Sequence, residues 1–227
     1  MSYLLVAHGT RKQGGVAMVG DLAEQVSSVL GQHVHVAFVD VLGPTPSEVL
    51  ARMPDEPVTL VPTFLSRGYH VTSDIPEHVQ ASGHPDVTVT EALGPGPQLV
   101  RVLADRLIES GWRRDDSVVL AAAGTSDPGA QRDLHTMATW LSATTSSRVE
   151  LAFAATGTPR VADAVDAVRR RGARRVAVAS YLLAEGLFQD RLRASGADVV
   201  TEPLGTHSGL VRLIANRFRR ARVSIAA

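Results

Sequence analysis

Residues 3–7 read Tyr-Leu-Leu-Val-Ala and run directly into His8-Gly9-Thr10. Five apolar residues ending at a polar turn with a glycine are too few for a helix. They suit a strand buried on both faces, as in a parallel sheet. The pattern returns at an offset of 115 residues (123 against 8), where Ala122-Ala123-Gly124-Thr125 follows the apolar run Val118–Ala122. Ala37-Phe38-Val39-Asp40 aligns with Ala152-Phe153-Ala154-Ala155 at the same offset. Farther out, Leu65–His70 aligns with Leu183–Phe188, and Glu91-Ala92-Leu93-Gly94 with Glu202-Pro203-Leu204-Gly205. Four matches in order, at nearly constant spacing, describe a duplicated domain.

Between these anchors, strand-like and helix-like patterns alternate. Val34–Val39, Val58–Phe64 and Val87–Thr90 complete the strands of the first copy. Val149–Ala155, Val176–Leu182 and Val199–Thr201 complete those of the second. Val19, Leu22, Ala23 and Val26 recur at helical spacing, as do Leu99, Val102, Leu103 and Leu107. Thr45-Pro46-Ser47-Glu48 predicts a helix start with a cap, a proline at the first position and a glutamate at the third. Asp74-Ile75-Pro76-Glu77 predicts another of the same kind. The expected architecture is α/β: two similar domains, residues 1–112 and 113–227, each a parallel sheet flanked by helices. The join falls in the polar stretch Gly111–Asp116.

The 227 residues carry 23 basic and 23 acidic side chains, and a zero net charge argues against a dedicated nucleic-acid binder. Cysteine is absent, which excludes disulfides, thiolate-bound zinc, iron–sulfur clusters and thiol catalysis. No apolar run is long enough to span a membrane and no signal-peptide pattern follows Met1, so the expectation is a soluble cytoplasmic protein. Neither a P-loop nor a dinucleotide fingerprint is present.

What the duplication discards points to the chemistry. His8 becomes Ala123, Asp40 becomes Ala155 and His70 becomes Phe188. All three lie just past the C-terminal ends of strands, where open α/β sheets bind ligands. Two imidazoles with a nearby carboxylate suit a borderline divalent ion such as Fe²⁺, Co²⁺, Ni²⁺ or Zn²⁺. Each histidine read alone could equally hydrogen-bond a loop, and Asp40 could cap the next helix. Thr10, Arg11 and Lys12 precede the first helix, where N–H groups and the dipole favour anions, and Arg67 could join them in holding carboxylates. His33 and His35 alternate on one face at the start of a strand, which can bind metal but more often marks a solvated edge. His84, His135 and His207 read as structural or solvated, as does His78, which is nevertheless the first candidate for an exception because it stands one turn into the helix after His70.

Leu4–Arg11 and Val61–Val71, continuing through Asp74-Ile75-Pro76, resemble the two signature segments of the class II chelatases, in the sirohydrochlorin ferrochelatase and cobaltochelatase branch. The resemblance runs over nearly the whole chain. It implies a chelatase-like fold with a cleft between the two domains, taking a tetrapyrrole as small-molecule partner. It also implies insertion of a divalent metal, Fe²⁺ or Co²⁺, as substrate, with no tightly bound cofactor and a monomer or homodimer. By the family pattern His8 and His70 hold and deliver the metal. Asp40 stands where such proteins usually carry glutamate, so its catalytic role is the least secured by the resemblance. Arg11, Arg67, Thr10 and Tyr69 are the expected substrate contacts. Two other readings use the same residues. One is a non-catalytic metal or tetrapyrrole carrier. The other is a histidine phosphatase, against which Ala7 occupies the place of the arginine in an Arg-His-Gly motif.

Overall fold

A computed structural model describes residues 1–10 and 12–225, the side chains of 222–225 excepted. Its first half runs β1 (Ser2–Ala7), α1 (Gln13–Leu30), β2 (Val34–Phe38), α2 (Pro46–Leu50), β3 (Val58–Pro62), α3 (Ile75–Ser82), β4 (Val87–Val89) and α4 (Pro97–Glu109). A single π turn, His70–Asp74, leads into α3. The second half runs β5 (Ser117–Gly124), α5 (Pro128–Thr145), β6 (Val149–Thr156), α6 (Val161–Arg170), β7 (Val176–Tyr181), α7 (Leu187–Arg193), β8 (Val199–Val200) and α8 (Ser208–Ile225).

Both sheets are wholly parallel and share one topology, β2-β1-β3-β4 and β6-β5-β7-β8. The first-half strands expected from apolar runs all form. β1 is central, and Leu4, Leu5, Val6 and Ala7 have no exposed surface, which explains why its sequence is a continuous apolar run rather than an alternation. On one face of this sheet, Leu4, Val6, Ala37 and Leu60 pack with Leu50 of α2 and Ile75 of α3. Complete burial of a leucine or isoleucine side chain contributes about 1.5–3 kcal/mol, so this cluster is a main support of the strand ends. The duplication extends to loop detail. Phe38 N–H donates to the Pro44 carbonyl at 2.9 Å, and Phe153 N–H donates to the Pro159 carbonyl at 3.0 Å, closing the same turn in both copies.

Packing divides the chain differently from the repeat. One compact unit is residues 1–94 with 206–227; the other is 95–205. α4 therefore belongs to the second unit, against α5 and β7, whereas α8 belongs to the first, against α1 and β3. Leu99, Val102, Leu103 and Leu107 are buried as their helical spacing predicts. That spacing specifies a buried stripe but not which sheet it covers, so the packing boundaries need not follow a repeat expected to divide at 112/113. In the first unit the ring of Phe218 on α8 meets that of Tyr3 on β1 with centroids 4.7 Å apart.

In the second unit, the polar stretch at the join ends in a buried charge. The Asp116 side chain is 1% exposed and accepts from Arg175 Nη1 at 3.0 Å. The same carboxylate accepts from the Arg113 N–H at 2.9 Å, tying the start of β5 to the residue before β7. Asp116→Asn leaves both donors poorly matched, and removing one partner of such a buried pair costs about 2–4 kcal/mol. The expected result is a lower urea midpoint with an unchanged slope.

Candidate metal centre

His8 is the first residue beyond β1, and Gly9 decides where it points. A Cβ at Gly9 would lie 2.1 Å from the Asp40 carbonyl oxygen and 3.2 Å from Leu42 N, so only glycine lets the loop after β1 press on the loop after β2. The second copy preserves this approach: a Cβ at Gly124 would lie 1.8 Å from the Thr156 carbonyl oxygen. The scaffold is common to both halves, and the side chains it aims are not.

Asp40 does not cap the following helix. Thr45 does, in a capping box with Glu48. The Asp40 carboxylate instead accepts from Val41 N–H at 2.6 Å through Oδ1. Its Oδ2 stands 4.0 Å from His8 Nε2.

His70 opens the π turn, which Ile75 N–H closes by donating to the His70 carbonyl. Its Nδ1 is hydrogen-bonded to Asp74 Oδ2, one turn on. An ionised carboxylate accepts here, so Nδ1 is the donor, and in the neutral ring the lone pair falls on Nε2. His8 follows the same logic: its Nδ1 lies 2.9 Å from the Gly9 carbonyl oxygen, an acceptor, so in the neutral ring Nε2 is again the lone-pair nitrogen. The two rings meet edge to face, with centroids 4.8 Å apart and an interplanar angle of 84°. With metal–nitrogen bonds of about 2.0–2.1 Å, two imidazoles bound cis on one ion have ring centres roughly 4.5–5.2 Å apart. The observed separation falls inside that range. Phe64 backs His70 from the apolar side, with ring centroids 5.7 Å apart.

Asp74 was not legible as a metal-site residue. Asp-Ile-Pro-Glu reads as a helix cap, yet Asp74 has helical φ/ψ of −63° and −45° and makes no cap hydrogen bond. The π turn runs continuously into α3, so no extended capping residue is needed, and the carboxylate turns to His70 instead. The available signal was the spacing of four between His70 and Asp74.

A cavity of about 560 Å³ opens beside His70, lined among others by Asp40, Ser47, Asp74, Glu77 and His78. His78 thus shares a wall with His70, held by a 3.2 Å hydrogen bond between its Nδ1 and Ser47 Oγ. Of the expected substrate contacts, Tyr69 is 63% exposed beside His70. Arg67 is exposed on the loop after β3. Thr10 is half-buried, its hydroxyl accepting from Lys12 N–H at 3.3 Å. Arg11 lies outside the described residues. Among the described residues, no three His, Cys, Asp or Glu side chains enclose a site for an ion. What the structure offers is an open pair of imidazoles with a carboxylate behind one of them.

Known proteins resemble this chain along most of its length. A sirohydrochlorin ferrochelatase from Priestia megaterium is 25% identical over 235 residues, covering 95% of this chain and 88% of that protein. A sirohydrochlorin cobaltochelatase from Methanothermobacter thermautotrophicus is 28% identical over 126 residues; the match takes 46% of this chain but 88% of the relative, about one copy of the repeat. The structure of SirB from Bacillus subtilis with Fe³⁺ superposes with a TM-score of 0.81 at 22% identity, covering 96% of this chain and 94% of that one. The CbiX family model matches residues 2–110 and again 117–221, so both halves of the repeat answer to one pattern and the chain belongs to the CbiX family.

Proposed function

We propose that this chain is a metal chelatase, a lyase that inserts Fe²⁺ or Co²⁺ into metal-free sirohydrochlorin with release of two protons. The observation that carries this reading is the His8–His70 pair, two imidazoles with ring centroids 4.8 Å apart, each with its Nδ1 against an oxygen acceptor and its Nε2 left for a metal. The names of the relatives supply the substrate. The metal is a substrate that passes through the site. An open two-imidazole site suits that task, because neutral nitrogen ligands bind borderline ions without the tight hold of thiolates.

The proposed sequence starts with an ion held by His8 and His70 through Nε2. As the ring nitrogens bond to the ion, the two pyrrole N–H protons leave and the imidazoles give up their bonds. A freed imidazole takes a proton readily near neutral pH. Asp40 Oδ2, 4.0 Å from His8 Nε2, stabilises the resulting cation by opposite charge. Arg11, Arg67, Thr10 and Tyr69 are the groups we assign to the ring and its peripheral carboxylates, Arg through paired hydrogen bonds. The first copy, residues 1–112, carries the chemistry, and 113–227 serves as scaffold. Among the described residues no helix is long and apolar enough to cross a membrane. We place the activity in the cytoplasm, in a monomer or homodimer that engages no nucleic acid.

The test is the absorbance of metal-free sirohydrochlorin with the chain and Fe²⁺ or Co²⁺ under anaerobic conditions. Many turnovers per chain support the enzyme; saturation at one equivalent supports a carrier. A milder perturbation examines positioning. Asp74→Asn removes the carboxylate that orients His70, and loss of such a partner typically costs about 10–100-fold in metal affinity or activity. The expected result is a raised KM for the metal with the KM for the ring unchanged.

A further inference from the structure

We propose that His33 and His35, at the start of β2, form a second divalent-metal site, of the borderline class that includes Ni²⁺, Cu²⁺ and Zn²⁺. The pair lies at the opposite end of β2 from Asp40, and the inference does not depend on the function proposed above. Residues two apart on a strand project from the same face. Here the two rings meet edge to face, with centroids 4.5 Å apart and an interplanar angle of 85°. That is nearly the arrangement of His8 and His70, and it lies at the cis end of the roughly 4.5–5.2 Å expected for two imidazoles on one ion. β2 is an edge strand, and His33 is exposed, so an ion can reach the pair and complete its coordination with water.

The second copy gives the comparison that separates this from an ordinary solvated edge. In register, His35 pairs with Leu4 of β1 as Glu150 pairs with Val119 of β5. The residues matching His33 and His35 are thus Arg148 and Glu150, which form a salt bridge of 2.9 Å. One copy fills this edge with opposite charges that satisfy each other. The other fills it with two like bases that repel when both are protonated and that a cation would join.

Equilibrium dialysis of the full chain against Ni²⁺ alone tests the site. Changing His33→Gln together with His35→Gln is expected to remove one bound equivalent, or to weaken it at least roughly tenfold, while cobalt insertion keeps the parent rate. His33→Arg with His35→Glu rebuilds the ion pair of the second copy. It is expected to lose the same equivalent without lowering the melting temperature. Nickel binding unchanged in either double variant, or no nickel bound by the parent chain, overturns the proposal.

Discussion

Replacing His70 by alanine is expected to lower cobalt insertion into sirohydrochlorin by about 10²–10⁴-fold, the range for a group that handles a reacting atom directly. His8→Ala is expected to do the same. The fold is expected to remain. The His8 and His70 side chains are 46% and 33% exposed, on turns beyond the strands, and substitutions at such positions shift stability by less than about 1 kcal/mol. The loss is expected to be non-additive. Once one imidazole is gone the ion has no partner ligand to be shared with, so the double variant falls little below either single one. Phe188→Ala, at the matching place in the second copy, is expected to leave the rate at that of the parent. Insertion rates beside thermal melts check all four variants; equal losses at His70 and Phe188 would mean that the duplication does not separate chemistry from scaffold.

Gly9→Ala is expected to damage both the fold and the activity. The added carbon would sit 2.1 Å from a backbone carbonyl oxygen, which cannot rotate away as a side chain can. The loops after β1 and β2 must separate, at a cost of about 1–3 kcal/mol. Those loops carry His8 and Asp40, so insertion should fall along with stability. Gly14→Ala provides the opposite sign in the same region. Its Cβ would meet nothing within 4 Å, in the first turn of α1, and the change should stabilise by about 0.4–1 kcal/mol. Urea midpoints of the two variants, moving in opposite directions, check both.

These residues also mark what could be read from the chain alone. Buried parallel strands were legible because burial on both faces leaves only apolar residues, as in Leu4, Leu5 and Val6. The candidate site was legible as a difference, since His8 against Ala123 and His70 against Phe188 stand out only beside a repeat, and the structure brings the two ring centroids to 4.8 Å. Contacts set by tertiary packing were not. The stripe of Leu99, Leu103 and Leu107 announces burial without naming its sheet, and α4 packs in the unit opposite to its repeat. The pairing of Asp74 with His70 depends on a π turn, and Asp40 is free to face His8 only because Thr45 and Glu48 cap α2 between themselves. In both cases one local motif masked or released a carboxylate, and only coordinates show which.

The most direct trial of the account follows the imidazole resonances of the chain, loaded with one equivalent of Co²⁺, as metal-free sirohydrochlorin is added. Paramagnetic broadening of both His8 and His70 on loading is predicted, with their sharp lines returning once the cobalt-bearing ring has formed and been separated from the chain. Either ring staying sharp on loading, or both staying broad after the cobalt-bearing ring has been removed, would contradict it.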